Sequence, residues 1–262
     1  MLAVLEELAV AAGAEILEVC ANHFDVAQKA DGSPVTEADQ RAEKVIVSGL
    51  LRLFPEEGIV AEEMIAAGDV PPALGPNFFL VDALDGTREF CARREEYTVN
   101  IGLVRNGAPI AGVVYAPALG LIFSGAHDGH ESGGASRCKV QKNGSLTDRR
   151  IIKTRPCASP QTILATRSHM TPETKSFLDN RPEADLRSIG SSLKFCLLAA
   201  GEADLYPRFG TTMEWDTAAG DAILRAAGGR TETEDGAPLT YGKRARAGMA
   251  DFQNPHFVSR GG

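Results

Sequence analysis

The chain has 262 residues, of which 44% are hydrophobic and 24% charged, so it is long enough for one large domain or two smaller ones. This is the composition of a folded soluble protein, and it excludes collagen-like, coiled-coil and disordered classes. Lys and Arg number 27 against 35 Asp and Glu, and the formal net charge of −8 argues against a nucleic-acid polymer as partner. An anionic ligand would need a local positive site, made by bound divalent cations or by a few placed Lys and Arg side chains.

The five cysteines are odd in number and contain no Cys-x-x-Cys pair, which predicts neither a disulfide framework nor a zinc site. The apolar N-terminus is interrupted by Glu6, Glu7, Glu15 and Glu18, so we expect no signal peptide. No run of about 18 uncharged apolar residues predicts a transmembrane helix. We therefore expect a cytoplasmic protein, with peripheral contact to the inner face of the plasma membrane left open. The sequence does not choose between a monomer and a homodimer.

The first half of the chain begins with two predicted helices. The apolar residues of the first recur at steps of three and four and form one face: Leu5, Leu8, Ala12, Ile16 and Val19. Thr36 is a predicted cap for the second helix, which ends before Pro55. Five short apolar runs with strand character follow: 58–61, 78–82, 97–104, 110–115 and 121–124. Asn106-Gly107 is typical of a hairpin turn, and the polar stretch 125–148 is interpreted as a loop.

The second half alternates strands and helices. We predict strands over 162–165 and 205–209, and helices that begin at Thr171-Pro172, Ser191 and Asp216. Gly228-Gly229 ends the last helix. The pattern predicts an α/β protein with an α+β N-terminal half and an α/β C-terminal half, and two domains at 1–150 and 151–262.

The segment most informative about chemistry is Leu80-Val-Asp82-Ala-Leu-Asp85-Gly-Thr87, where a strand runs into two aspartates. Both carboxylates can face one hard cation, with the Leu84 carbonyl as a neutral oxygen ligand between them. Gly86 and Thr87 would open a short helix whose free N–H groups attract an anion. An Asx turn that caps a helix is the simpler alternative for such a motif.

Two further acidic sites have a similar setting. Glu62 and Glu63 follow the predicted strand 58–61, and Asp216 precedes the last helix. Taken singly, the Glu62-Glu63 pair is explained by a solvated loop and Asp216 by a helix N-cap. Several acids at the ends of elements favour a shared cluster of oxygen ligands for a metal ion.

These motifs resemble the inositol monophosphatase superfamily of magnesium-dependent, lithium-sensitive phosphatases. The matching segments are Glu62-Glu63, Asp82-Ala-Leu-Asp-Gly-Thr87 and Trp215-Asp-Thr-Ala-Ala-Gly220, with Ala83 where the family usually has Pro. The segments around Lys29 to Asp39, Thr166 to His169, Ile189 to Lys194 and Leu205 to Gly210 resemble the bacterial 3′(2′),5′-bisphosphate nucleotidases. The resemblance implies a layered α/β/α/β/α sandwich. It also implies an enzyme that removes the 3′-phosphate of adenosine 3′,5′-bisphosphate, a by-product of sulfate assimilation, and leaves AMP.

The resemblance also implies the site. Glu62, Asp82, the Leu84 carbonyl, Asp85 and Asp216 would hold two or three Mg²⁺ ions, and a metal-activated water would attack phosphorus. Glu62, Asp39 and Thr87 are the implied catalytic residues, although Asp39 is also explained as part of a helix capping motif. The implied substrate-binding residues, which would hold the nucleotide and its second phosphate, are Gly86, Thr87, His169, Ser191, Ser192, Lys194 and Arg208.

Two other functions stay open. A phosphatase of the same superfamily acting on inositol or sugar phosphates would share the metal chemistry, but the Ser191-Ser-Leu-Lys194 and Ser168-His169 segments argue against it. A non-catalytic module that binds nucleotide or metal and regulates a partner is less favoured, because the acidic ligands and Thr87 are all present. The sequence does not distinguish adenosine 3′,5′-bisphosphate from its sulfated relative as the substrate.

Overall fold

The computed structural model describes residues 1–29, 32–127, 133–166 and 170–262. The helices are α1 (Leu2–Ala21), α2 (Glu37–Leu53), α3 (Glu62–Ala66), α4 (Thr87–Cys91), α5 (Pro172–Asp179), α6 (Leu193–Ala199) and α7 (Ala218–Ala226). The strands of the first half are β1 (Val26–Gln28), β2 (Pro34–Thr36), β3 (Gly58–Ala61), β4 (Asn77–Asp85), β5 (Thr98–Arg105), β6 (Ala108–Ala116), β7 (Leu121–Ala126), β8 (Gly134–Val140) and β9 (Leu146–Ile152). Those of the second half are β10 (Thr162–Ala165), β11 (Asp185–Ser188), β12 (Leu205–Arg208), β13 (Arg230–Thr233) and β14 (Phe257–Arg260).

Two main sheets organise the described residues. A seven-stranded sheet runs from β3 to β9 in chain order, with β3 and β4 parallel and the other neighbours antiparallel. A five-stranded sheet has the order β11-β10-β12-β14-β13 and mixes parallel and antiparallel pairs. The predicted hairpin turn joins β5 to β6, with φ of 50° at Asn106 and 77° at Gly107, the left-handed backbone that Asn-Gly tolerates.

The helices form layers around the two sheets. Helices α1 and α2 contact one face of the seven-stranded sheet, and α7 contacts its other face. Helix α6 packs on α7 and on β12, so both helices lie between the sheets, and α5 contacts β12 of the second sheet. Its Phe177 and Leu178 pack on a separate small apolar cluster formed by the strands of that sheet. The predicted α/β/α/β/α sandwich is confirmed.

The chain passes from the first sheet to the second between Ile152 and Thr162. One buried apolar cluster contains Leu80 and Val114 of the first sheet together with Leu164 and Tyr206 of the second. The two halves therefore share a core, and a division into domains near residue 150 stays a prediction.

The predicted apolar face of α1 is buried at all five positions, as its spacing requires. Thr36 caps helix α2 as predicted, and its hydroxyl accepts a hydrogen bond from the Ala38 N–H at 3.2 Å. None of the helices in the described part of the chain is both long enough and apolar enough to cross a membrane.

The interpretation of 125–148 as a loop is wrong, because β8 lies entirely within it and β9 begins in it at Leu146. Ala135, Ser136 and Cys138 of β8 are buried, and β8 pairs with both β7 and β9. Strand β9 is the sheet edge and is mostly exposed, which suits its polar sequence. The segment forms strands because β8 pairs with β7 and β9, although its Gly-rich and charged composition is typical of a loop.

Helix α7 lies unusually close to the seven-stranded sheet at two glycines. A Cβ atom added to Gly112 would lie 2.2 Å from the Ala219 carbonyl oxygen, and one added to Gly102 would lie 2.8 Å from the Ala219 nitrogen. Only a residue without a side chain permits this approach. The glycines therefore fix the depth of α7, which follows directly after Asp216 and Thr217 in the chain.

Candidate active site

A cavity of about 580 Å³ opens where the end of β4, the start of α6 and the turn before α7 meet. The predicted site residues among its lining are Glu62, Asp85, Gly86, Thr87, Ser191, Ser192, Lys194, Arg208 and Asp216. The fold thus brings together residues from both halves of the chain. His169 lies outside the described residues.

Three carboxylates form a cluster beside this cavity. Single oxygen atoms of Glu62, Asp82 and Asp216 all lie within 4.8 Å of one another. Asp82 is buried, and Glu62 and Asp216 are half-buried. Burial, together with the charges of neighbouring acids that include Asp85, raises the pKa of Asp82 and of Asp216 well above the ordinary aspartate value.

Such a cluster is costly unless a cation or protons balance its charge. The donor set consists of carboxylate oxygens and therefore suits a hard divalent cation. The residues present fit the metal that the sequence predicts.

Each acid reaches the cluster by a different local device. Glu62 is the first residue of α3 and follows β3 directly. Asp82 lies within β4, where its Oδ1 accepts the Leu84 N–H at 2.9 Å. The pairing of β4 with β5 shifts register between Asp82 and Asp85, and such an irregularity re-aims side chains at the end of a strand. Asp216 ends a 3₁₀ turn, and its Oδ2 accepts the Met213 N–H at 2.8 Å.

The Asp39 carboxylate serves α2 and Thr87 at once. Its Oδ2 accepts the N–H and the hydroxyl of Thr36 at 2.7 and 2.8 Å, and its Oδ1 accepts the Thr87 hydroxyl at 3.1 Å. Burial raises the pKa of Asp39, although these hydrogen bonds oppose the rise. The capping role and the contact with Thr87, which the sequence presented as alternatives, therefore coexist.

Thr87 sits at the start of the short helix α4. Gly86 precedes it with a φ of 95°, a backbone that glycine adopts without strain. The Thr87 hydroxyl also lies 3.2 Å from the Leu84 carbonyl oxygen. That carbonyl, a predicted metal ligand, is therefore a second acceptor within reach of the single Thr87 hydroxyl hydrogen, besides Asp39 Oδ1.

Two residues near Glu62 make contacts that the sequence does not predict. The Lys29 ammonium lies 2.5 Å from a carboxylate oxygen of Glu62 and 2.5 Å from one of Glu63. Glu43 of α2 accepts the N–H groups of Glu63 and Met64 at 2.8 and 2.9 Å, and burial raises its pKa to about 7. Neither contact had a signal in the sequence, because the partners are at least 20 positions apart.

The predicted phosphate-binding residues have unequal surroundings. The Lys194 ammonium is buried and donates to the carbonyl oxygens of Ile189 and Ser191 at 3.3 and 2.5 Å. Burial lowers its pKa to about 8. Arg208 donates from Nη2 to the Thr211 carbonyl at 2.6 Å, and its buried Nε has no hydrogen-bond partner among the described residues. Ser192 is directed toward Asp85 and Asp216, which differs from the phosphate contact expected of it.

The layered fold and the acid-lined cavity define the class of this protein: the chain belongs to the inositol monophosphatase family. The sequence model of that family matches residues 1–255. Over 253 residues, 96% of each chain, this protein is 42% identical to the 3′(2′),5′-bisphosphate nucleotidase CysQ of Escherichia coli strain K12. The crystal structure of CysQ from Bacteroides thetaiotaomicron superposes with a TM-score of 0.78 and 33% identity, covering 98% of this chain and 96% of that one. An inositol monophosphatase from Anabaena gives 0.75 at 26% identity, covering 100% and 90%.

Proposed function

We propose that this protein is a Mg²⁺-dependent phosphomonoesterase that hydrolyses the 3′-phosphate of adenosine 3′,5′-bisphosphate to give AMP and phosphate. The observation that carries this proposal is the content of one cavity, which joins an acidic cluster to the cationic side chains Lys194 and Arg208. A substrate with two phosphates needs both. The 42% identity to a bisphosphate nucleotidase over nearly the full chain supports the same choice.

Glu62, Asp82, Asp85, Asp216 and the Leu84 carbonyl would hold the magnesium, in two or three ions. When bound, Mg²⁺ neutralises phosphate charge and makes a bound water a better nucleophile at neutral pH. The protein's part is to hold these oxygens in place and to balance the charge of the cations.

Thr87 and Asp39 handle the proton of the attacking water. With its own hydrogen directed to Asp39 Oδ1, the Thr87 oxygen has lone pairs left to accept a hydrogen bond from water. Asp39 is held by Thr36 on its other oxygen, so the carboxylate does not swing away. Glu62, at the cavity wall, is the third proposed catalytic group.

The phosphate that is not cleaved would lie against Lys194, Arg208 and Ser191. The unpartnered Nε of Arg208 supports this role, because a buried donor without a partner is costly until a ligand accepts from it. Gly86 and His169 stay predicted contacts of the substrate.

Phosphate release from a small panel of substrates tests the proposal. We expect turnover of adenosine 3′,5′-bisphosphate in Mg²⁺, with AMP as the nucleotide product, and none after exhaustive chelation with EDTA. Faster hydrolysis of inositol 1-phosphate or of a sugar phosphate would move the protein to another activity of the same family. Full turnover in EDTA would refute the metal mechanism.

A further inference from the structure

Ser192 is buried at the start of α6, between the end of β4 and the turn that carries Asp216. It lies 107 positions from Asp85 and 24 from Asp216. Its contacts therefore join three segments that the chain itself keeps apart.

Both donors of Ser192 reach the same oxygen of Asp85. The Ser192 N–H lies 2.6 Å from Asp85 Oδ2, and the Ser192 hydroxyl lies 2.7 Å from it. Hydrogen bonds to an ionised carboxylate are stronger than those between neutral groups. Two of them on one oxygen restrict the rotation of the Asp85 carboxylate.

The Ser192 hydroxyl also lies 2.5 Å from the main-chain carbonyl oxygen of Asp216. The Asn100 side-chain amide donates to the same hydroxyl oxygen at 2.9 Å. Since the hydroxyl accepts from Asn100, its single hydrogen is available to Asp85 and Asp216. A substrate phosphate, which offers acceptors alone, would have to take that hydrogen from both.

We infer that Ser192 is a positioning residue that fixes Asp85 relative to Asp216, and that it thereby sets the affinity for the divalent cation and does not bind substrate phosphate. The inference rests on the metal site of the proposed function. Asp85 belongs to the first half of the chain and Asp216 to the second, so Ser192 is the link that holds the acids of the two halves in one arrangement.

The neighbouring Ser191 provides a matched control. It also lines the cavity, but its side-chain oxygen accepts the Leu193 N–H at 3.3 Å and is not bonded to a metal-ligand candidate in the described contacts. Replacing either serine with alanine removes one hydroxyl from the same loop. The two variants therefore separate metal positioning from substrate contact.

The primary experiment is calorimetric titration of substrate-free protein with Mg²⁺ alone. We expect Ser192→Ala to weaken Mg²⁺ binding about ten-fold, the effect of one hydrogen bond to a charged group, and Ser191→Ala to leave it within about two-fold. At saturating Mg²⁺, the KM of Ser192→Ala for adenosine 3′,5′-bisphosphate should stay near the wild-type value. Its activity should recover as the Mg²⁺ concentration rises.

A second variant guards against a folding defect. Ser192→Cys keeps a side chain of similar shape with a weaker donor, and it should show the same loss of Mg²⁺ affinity with the wild-type melting temperature in EDTA. Equal Mg²⁺ affinity in the wild type, Ser192→Ala and Ser192→Cys, with a raised KM for substrate in the two variants, would overturn the inference and leave the proposed function intact. Absence of Mg²⁺ binding to the wild type would overturn both.

Discussion

The Thr87 hydroxyl lies 3.1 Å from Oδ1 of Asp39, while the other oxygen of the same carboxylate holds the first turn of α2. One side chain thus ties the start of a helix in the outer layer to a residue at the cavity wall. The helix therefore holds the Thr87 hydroxyl, which is proposed to orient the attacking water, in a fixed position.

Replacing Thr87 with valine removes the hydroxyl and keeps the shape of the side chain. We expect kcat for adenosine 3′,5′-bisphosphate to fall by roughly 10²- to 10⁴-fold, the usual contribution of a placed proton-transfer group. Thr87→Ser, which keeps the hydroxyl, should retain most of the activity. Steady-state kinetics on the three proteins would decide, and a valine variant as active as the serine variant would count against the role of Thr87.

Asp82→Asn should have opposite effects without and with metal. Because burial and the nearby acids raise the pKa of Asp82, its charge destabilises the metal-free fold at neutral pH. In EDTA the variant should melt higher than the wild type, by about 2–4 °C for each kcal/mol of repulsion removed.

In excess Mg²⁺ the order of the two proteins should reverse, because the wild type gains stability from binding and the variant loses a ligand. Thermal unfolding in the two buffers provides the measurement. A variant that Mg²⁺ stabilises as much as the wild type would exclude Asp82 as a ligand.

Sequence reasoning succeeded where a local pattern has one physical solution. The spacing of Leu5, Leu8 and Ile16 admits a single buried helix face, and Asn106-Gly107 suits few turns other than a hairpin. The charges of acids at the ends of β3 and β4 had to be balanced by a cation or by protons, and the structure places Glu62 and Asp82 in one cluster.

Where the outcome depends on distant partners, the sequence carried no signal. Strand β8 forms because β7 and β9 lie on its two sides, which its Gly-rich and charged composition does not reveal. The sequence alone does not distinguish the role of Ser191 from that of Ser192. A positive φ of 50° at Ser191 accompanies the turn of the chain that directs Ser192 to Asp85, and the partners are 107 positions apart.

Lys194→Met should change how stability depends on pH. Burial lowers the pKa of Lys194 from 10.5 to about 8, so between these values the unfolded chain holds a proton that the native protein lacks. The free energy of unfolding of the wild type, relative to the variant, should therefore rise with pH, by up to about 1.4 kcal/mol per pH unit. Urea unfolding at pH 7.5, 8.5 and 9.5 in EDTA would measure it, and a difference independent of pH would contradict the prediction.

The same variant tests the second phosphate site. If Lys194 contacts the phosphate that is not cleaved, Lys194→Met should lower kcat/KM for adenosine 3′,5′-bisphosphate by roughly ten-fold to over a hundred-fold, as expected for a charged hydrogen bond. Turnover of adenosine 3′-monophosphate should change little. Equal losses on both substrates would mean that Lys194 acts through its bonds to the Ile189 and Ser191 carbonyls.

The close approach of α7 to Gly102 and Gly112 shapes how the enzyme tolerates genetic change. Any side chain at either glycine must lift the helix away from the sheet, and Asp216 lies just before the first residue of that helix. A random mutagenesis screen for inactive but folded variants should therefore recover substitutions in the middle of β5 and β6, at residues that touch neither metal nor substrate. As related sequences diverge, substitutions at the cavity wall should be tolerated more often than substitutions at Gly102 and Gly112. New substrate preferences should therefore arise through changes at the cavity wall, with both glycines retained.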